Sequence, residues 1–262
     1  MTIPEAVMCR RSSRTYDSVL SDADSRQIDM FLNRLPKRHF GKGMVGMRRI
    51  DCGAGATPPG TYGCISGAHH YVVSYTSDAV NNLTRIDCGM ISELMALYAT
   101  QAGIGTCLMT GTIRDSAFAR DACLGGGDSL LLASPLGRVL APCLTEKLIG
   151  RMSRSGTRMP KDRVVFSDRA FTIPWKASPD DYALQQALDG LCQAPSAYNR
   201  QPWRVVVCDN HIEIHNSESD SNSWIGIGCA ITNYCAMIGI RSDSLDIDGT
   251  DEQPIIIAPR PI

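Results

Sequence analysis

Apolar residues recur along this chain in two rhythms, and their alternation outlines its elements. Ile3, Val7 and Met8 share a face, with Pro4 at a first-turn position, which predicts a short helix ending near Arg10–Arg14. Ile28, Phe31, Leu32 and Leu35 recur at i, i+3, i+4 and i+7, behind Ser21 and Asp22, either of which could cap a second helix. Residues 41–68 are rich in glycine and proline and read as loop with short strands. "HHYVVSY" (69–75) reads as a strand. From Asp87 to Gly103 the spacing predicts a buried helix, with Ile91, Leu94, Met95 and Tyr98 on one face and Gly103 placed to end it. The run "SLLLASPLG" is expected as a central strand, and the basic, turn-rich residues 147–163 as a connector.

The second half repeats this scheme more briefly. Leu184, Leu188 and Leu191 make a helix face, a strand follows over 203–208, Asp209-Asn210 offers a tight hairpin turn, and "HIEIH" (211–215) alternates. "WIGIGCAITNYCAMIG" (224–239) then echoes "RIDCGMISELMALYATQAG" (85–103): a short apolar entry, a glycine, and a helix rich in small residues. The echo is loose, because any two buried helices share such features. It suggests a first half over 1–150, a connector over 151–170 and a second half over 171–262, packed as one unit.

Composition narrows the classes. The 262 residues are 44% hydrophobic and 20% charged, which fits a globular protein with a real core. A net charge of −1 gives no basic footprint for nucleic acid. The opening "MTIPEAVMCRRSSR" lacks the apolar run of a secretory signal, and the most apolar stretch is too short and too broken to span a membrane. The eleven cysteines stand singly, without the close pairs of a zinc or iron–sulfur site, and their odd number argues against a disulfide framework. They read as small buried hydrophobes in a reducing cytosol, the lesser reading being a redox thiol or a cluster. No metal site is expected.

Three segments carry candidate chemistry. In "RRSSR" (10–14), guanidinium forks and a hydroxyl suit phosphate oxygens, although a basic helix end is often only a solvated face. In "GIGTCLMTG" (103–111), glycines allow a flat ligand to approach backbone N–H groups, although they also cap helices. "PSAYNRQPW" (195–203) is the most specific, with Pro, Ser, Asn, Gln, Pro and Trp at fixed spacings ahead of a strand. Other residues weigh less. His69-His70 begin a strand, His211 and His215 flank Glu213 on what reads as a surface strand face, and "GGGD" (125–128) lacks the Lys-Ser/Thr of a phosphate loop.

Taken in that order, and with Tyr16-Asp17, Asp87-x-Gly89, Gly137 and "TRMPKDRVVF" (157–166), the three segments resemble the nitroreductase family of FMN-dependent flavoproteins. The resemblance covers most of the chain. Ordinary members carry the PSxxNxQPW loop soon after RRSxR and form homodimers with FMN at the interface. Here the loop lies near residue 200, as in the subfamily that fuses two halves into a single-chain pseudo-dimer.

The resemblance implies an α+β fold, a mixed and mainly antiparallel sheet wrapped by helices, with two half-repeats as an intramolecular pseudo-dimer. It implies one FMN, NAD(P)H as reductant, hydride passing through flavin N5, and a small acceptor of the aromatic, quinone or nitro type. Arg10, Arg11 and Ser12 match phosphate- and ribityl-binding positions, and Arg158 a phosphate ligand. Arg14 matches a catalytic cation beside flavin N1 and O2. Thr110 and Gly111 match backbone contacts near N5 and O4, and Pro195, Ser196, Ala197 and Asn199 the loop along the ring, with Gln201-Pro202-Trp203 bracing it. Gly156 stands where the family often has a second basic residue, and Gly226 where the second Asp-x-Gly would have its Asp. The first half, with "GTYGCISGAHH" where its own loop is expected, would leave the mate site degenerate. The chain is expected to be cytoplasmic and monomeric, with further pairing left open, and without nucleic-acid or membrane partners. The alternatives are a protein that holds FMN without turnover and a module that has lost it.

Overall fold

The N-terminal helix α1 (Ile3–Cys9) starts where a capping box fixes it: the Thr2 hydroxyl accepts from the Glu5 N–H and the Glu5 carboxylate accepts from the Thr2 N–H. The computed structural model describes residues 1–17, 19–36, 39–41, 43–52, 60–113, 115–154, 156–241 and 244–261. After α1 come β1 (Tyr16–Asp17), α2 (Asp22–Leu32), β2 (Gly46–Asp51), β3 (His70–Thr76), α3 (Asn82–Gln101), β4 (Gly105–Thr106), α4 (Asp115–Asp121), β5 (Ser129–Val139) and α5 (Leu144–Met152). The remainder supplies β6 (Val165–Phe166), α6 (Tyr182–Cys192), β7 (Trp203–Val207), β8 (His211–Asn216), α7 (Ser223–Ile238), β9 (Asp246–Gly249) and β10 (Pro254–Pro259).

The strands form two five-stranded sheets. The first runs β1-β5-β3-β2, with β4 also on β5, and is antiparallel throughout; the second runs β6-β7-β8-β10-β9, with only the β6–β7 pair parallel. This is the mixed, mainly antiparallel α+β architecture expected. The two halves share a topology: α2-β2-β3-α3-β5 corresponds to α6-β7-β8-α7-β10, and the sheet order β5-β3-β2 corresponds to β10-β8-β7.

That correspondence corrects one expectation. The counterpart of the 195–202 loop is the stretch between α2 and β2, and not "GTYGCISGAHH". The latter belongs to the β2–β3 connection, where the second half has only the Asp209-Asn210 turn, closed by the Cys208 N–H on the His211 carbonyl. In the first half the loop is tied down by a buried carboxylate: Asp87 accepts from the N–H groups of His39, Phe40 and Gly41 at 3.1, 2.9 and 2.9 Å.

At the centre α3 packs on α7, backbone against backbone. A Cβ at Gly89 would lie 2.0 Å from the Ile225 carbonyl oxygen, and one at Gly228 would lie 2.1 Å from that of Ile86. Each glycine thus meets the carbonyl three residues before the other glycine, which is the reciprocity of a two-fold axis. The Cys229 thiol and Thr232 hydroxyl of α7 add bonds to the carbonyls of Gly89 and Met90. α3 feeds both cores. Met95 and Ala99 pack with Val72 and Leu136 of the first sheet, while Ile86 and Met90 join Leu188 of α6 and Val205, Ile212 and Ile256 of the second.

Several boundaries differ from expectation. α3 begins five residues early because Asn81 caps it, accepting from the Thr84 N–H at 2.8 Å. Residues 46–51 are a full strand, with Arg49 forked onto Asp29 and also paired with Asp51. The expected connector 147–163 opens inside helix α5. Glu213, expected at a strand surface, is 2% exposed, covered by Arg169 and His215. Among the cysteines six are buried, three half-buried and two, Cys9 and Cys123, exposed. Among the described residues no helix is long and apolar enough to cross a membrane.

Candidate functional site

All eleven cofactor-binding candidates lie around one cleft of about 270 Å³: Arg10, Arg11, Ser12, Arg14, Thr110, Gly111, Arg158, Pro195, Ser196, Ala197 and Asn199. The cleft spans the two halves. One wall is the extended segment after α1 with residues 107–112, and the other is the 195–199 loop with Asn222, Ile225, Gly226 and Cys229 of α7 and the residue before it.

Segment 10–15 is held in place by its backbone. Ser13 N–H donates to Thr106 O, Arg14 N–H and the Thr15 hydroxyl donate to the Glu146 carboxylate of α5, and Ser66 N–H donates to Arg14 O. The arginines differ in how they are engaged. Arg10, 4% exposed, pairs with the fully buried Glu93 at 3.0 Å and reaches the Gln193 carbonyl at 3.4 Å. Arg11 turns onto the carbonyls of Met8, Cys9 and Arg10, closing the end of α1. Arg158 donates to the same Gln193 carbonyl at 3.1 Å and to Asn199 Oδ1 at 3.4 Å. Among the described residues the Arg14 guanidinium makes no ion pair or hydrogen bond. Burial, and then the charges of Arg10 and Arg11, lower the Arg158 pKa from its usual value. Like charges crowded at one end of a cleft mark it as a seat for an anion.

The loop is strained. Tyr198, Asn199 and Gln201 have φ of 52°, 54° and 53°, a left-handed conformation that costs a side-chain-bearing residue about 1–2 kcal/mol. It is held by Ser196 Oγ accepting from Gln201 N–H, Gln201 Oε1 accepting from Met159 N–H, and the Asn199 amide donating to the carbonyls of Arg154 and Thr157. The Asn199 side chain therefore braces Arg154 and Thr157 while lining the cleft. Trp203 is fully buried in the core behind the loop. Gly226 makes room here, since a Cβ on it would come within 3.3 Å of Ser196 and 3.5 Å of Pro202.

At the opposite wall, Met109 pairs with Ala133 and the chain then leaves the sheet. Among the described residues neither the Thr110 nor the Gly111 N–H has a protein acceptor, so the cleft offers two backbone donors. Cys107 and Cys229 also line it, but burial pushes both thiols up, so neither is poised as a nucleophile. An arginine-rich end, apolar walls at Leu108, Leu132 and Ile225, and two free donors fit a ligand with an anionic tail and a flat polar-edged ring.

Some contributors were missed in the sequence. Ile149 of α5 and Ser153 just after it, Tyr198 at the exposed rim, and Ile225 and Cys229 of α7 line the cleft, and Glu146 anchors segment 14–15. The spacing of Leu144, Leu148, Ile149 and Met152 is a helical stripe that would have revealed α5. Of the segment 41–68, expected as loop with short strands, Cys64 lines the cleft, 46–51 is sheet, and residues 42 and 53–59 lie outside the described residues.

A family model described as "Putative TM nitroreductase" matches residues 2–237. Among solved structures, a "putative nitroreductase" of Thermotoga maritima MSB8 aligns with a TM-score of 0.61 at 17% identity, over 100% of this chain and 95% of that one. A nitroreductase with bound FMN from Desulfitobacterium hafniense DCB-2 aligns at 15% identity over 55% of this chain and 92% of its own, with a TM-score of 0.42. An FMN-dependent nitroreductase from Clostridium difficile R20291 aligns at 15% identity over 53% and 88%, with a TM-score of 0.40. No curated protein matches the chain.

Proposed function

The chain belongs to the nitroreductase family, and from that premise we propose that it is an FMN-dependent oxidoreductase with one cofactor site, at the cleft between its halves. The observation that carries this reading is the composition of the cleft: clustered guanidiniums and free N–H donors from one half, and a strained loop from the other. Arg158, Arg10, Arg11 and Ser12 would hold the phosphate and ribityl chain, while Pro195, Ser196, Ala197 and Asn199 would line the ring. The Thr110 and Gly111 N–H groups would meet its polar edge.

Bound FMN would supply the two-electron chemistry, taking reducing equivalents from NAD(P)H and passing them to a small quinone, nitro or other aromatic acceptor. The protein's own part is placement, charge and exclusion of water. The Arg14 guanidinium, with no protein partner among the described residues, is the group proposed to favour the negative charge that reduction adds. Cys107 and Cys229, kept as neutral thiols, take no covalent part.

Purified protein is expected to carry one flavin per chain, counted after denaturation, and to bleach with NADH or NADPH. Two flavins per chain would overturn the single-site reading. A yellow protein that neither nucleotide bleaches would favour a holding role, and a colourless protein unresponsive to FMN would end the cofactor proposal.

Arg14→Met keeps the stem and removes the charge. It is expected to lower the flavin midpoint potential, by about 30 mV for each 1.4 kcal/mol of lost differential stabilisation, and to slow reduction. Binding of oxidised FMN should change less than in an Arg158 variant. An unchanged midpoint in a dye-referenced titration would leave Arg14 without that role.

Gly156 lines the arginine-rich end, and a side chain added there meets open space. Gly156→Lys is therefore expected to tighten FMN by roughly two- to fivefold, the worth of an exposed ion pair, and riboflavin not at all. Fluorescence titration with both ligands checks it.

A further inference from the structure

We propose that Cys208, His211 and Glu213 bind one divalent cation of the zinc class at the tip of the β7–β8 hairpin. Nothing in the sequence spacing suggested it, since the thiol has no nearby cysteine partner. The fold makes the site. Cys208 and His211 close the two-residue turn and stand opposite each other, and Glu213 follows two positions on, so all three share one sheet face. Ile212 and Ile214 face the core on the other side.

A thiol sulfur, a ring nitrogen and a carboxylate oxygen here lie within 4.8 Å of one another. Cys208 Sγ is 3.9 Å and His211 Nε2 is 3.6 Å from Glu213 Oε1. A tetrahedral zinc ion with bonds of roughly 2.0–2.3 Å sets its ligand atoms about 3.3–3.8 Å apart, so the donors stand close to that spacing.

The hydrogen bonds fix the right nitrogen. His211 Nδ1 lies 2.8 Å from Asn210 Oδ1, which leaves Nε2 as the nitrogen turned toward Glu213 Oε1. Arg169 spans both Glu213 oxygens, at 2.5 and 3.1 Å from Oε1 and 2.8 Å from Oε2, and His215 Nε2 lies 3.0 Å from Oε2, which orients the carboxylate with Oε1 toward Cys208 and His211.

Thiolate and imidazole select a borderline ion such as Zn²⁺ over Mg²⁺ or Ca²⁺. Metal binding breaks the Cys208 S–H bond, forms S–M and releases the proton to solvent. A water would fill the fourth position. The five residues of β7 separate this tip from the 195–202 loop by about 17 Å, so the ion's role is to pin the hairpin and is independent of FMN.

The test is a titration of the chelator-stripped full chain with Co²⁺, followed by Zn²⁺. One Co²⁺ per chain is expected, with an intense thiolate-to-cobalt band that one equivalent of Zn²⁺ abolishes. Cys208→Ser should remove the band, and His211→Ala should weaken binding by at least roughly tenfold, both with unchanged far-ultraviolet circular dichroism. Cys123→Ser, an exposed thiol elsewhere, should leave the titration as it is. A wild-type protein without the band, or a band that survives Cys208→Ser, overturns the proposal, whatever the protein's flavin content.

Discussion

Gly228→Ala is expected to lower the melting temperature by roughly 6–12 °C, the equivalent of about 3 kcal/mol in a chain of this size. The added methyl would meet the Ile86 carbonyl oxygen at 2.1 Å and the Met90 nitrogen at 2.8 Å. Both are backbone atoms inside a helix, so no side-chain rotation relieves the contact. The helices must part, and α3 is packed into both cores, so parting them opens cavities on either side. Gly89→Ala, which meets the Ile225 carbonyl in the same way, should behave alike. Gly126→Ala, with open space around it, should stay within about 0.5 kcal/mol. Calorimetry on the three variants decides: a Gly228→Ala shift no larger than that of Gly126→Ala would mean that the two backbones do not meet.

Arg158→Ala is expected to weaken FMN binding by about ten- to a hundredfold, since a charge-assisted contact is worth roughly 1.5–3 kcal/mol. Riboflavin, without the phosphate, should lose little. Equal losses for both ligands would place Arg158 elsewhere. Arg10→Ala is a poorer test of the same idea. Arg10 is the ion-pair partner of the buried Glu93, and removing one member of a buried pair costs about 3–5 kcal/mol of stability. Its effect on FMN would be mixed with partial unfolding, whereas Arg158 donates to neutral acceptors, the Thr157 and Gln193 carbonyls and Asn199 Oδ1.

Much of this was legible locally. The capped start of α1, the leucine face of α6, the Asp209-Asn210 turn and the alternating β8 each follow from a few neighbouring residues. The lining of the cleft was legible too, because the three segments carry unusual residues at fixed spacings. What failed was long-range. Glu213 is buried because Arg169, from far upstream, closes over it. β2 reads as loop because the ion-pair partner of its Arg49, Asp29, comes from α2. Arg10 reads as a free cation until α3 brings Glu93 beneath it. The 195–202 loop was visible, but its supports at residues 154–159 were not, since they lie in what reads as a linker.

The two ends of the α3–α7 axis carry opposite solutions at one equivalent place. Asp87 seizes three N–H groups and draws its loop tight, whereas Gly226 stands aside for Ser196 and Pro202. In an ordinary two-fold homodimer a single codon writes both places, so the residue there must serve two masters and any change strikes twice. With both halves on one chain each place has its own codon. One end can be sealed for strength while the other is left open for chemistry, and mutation can explore either without consulting its twin.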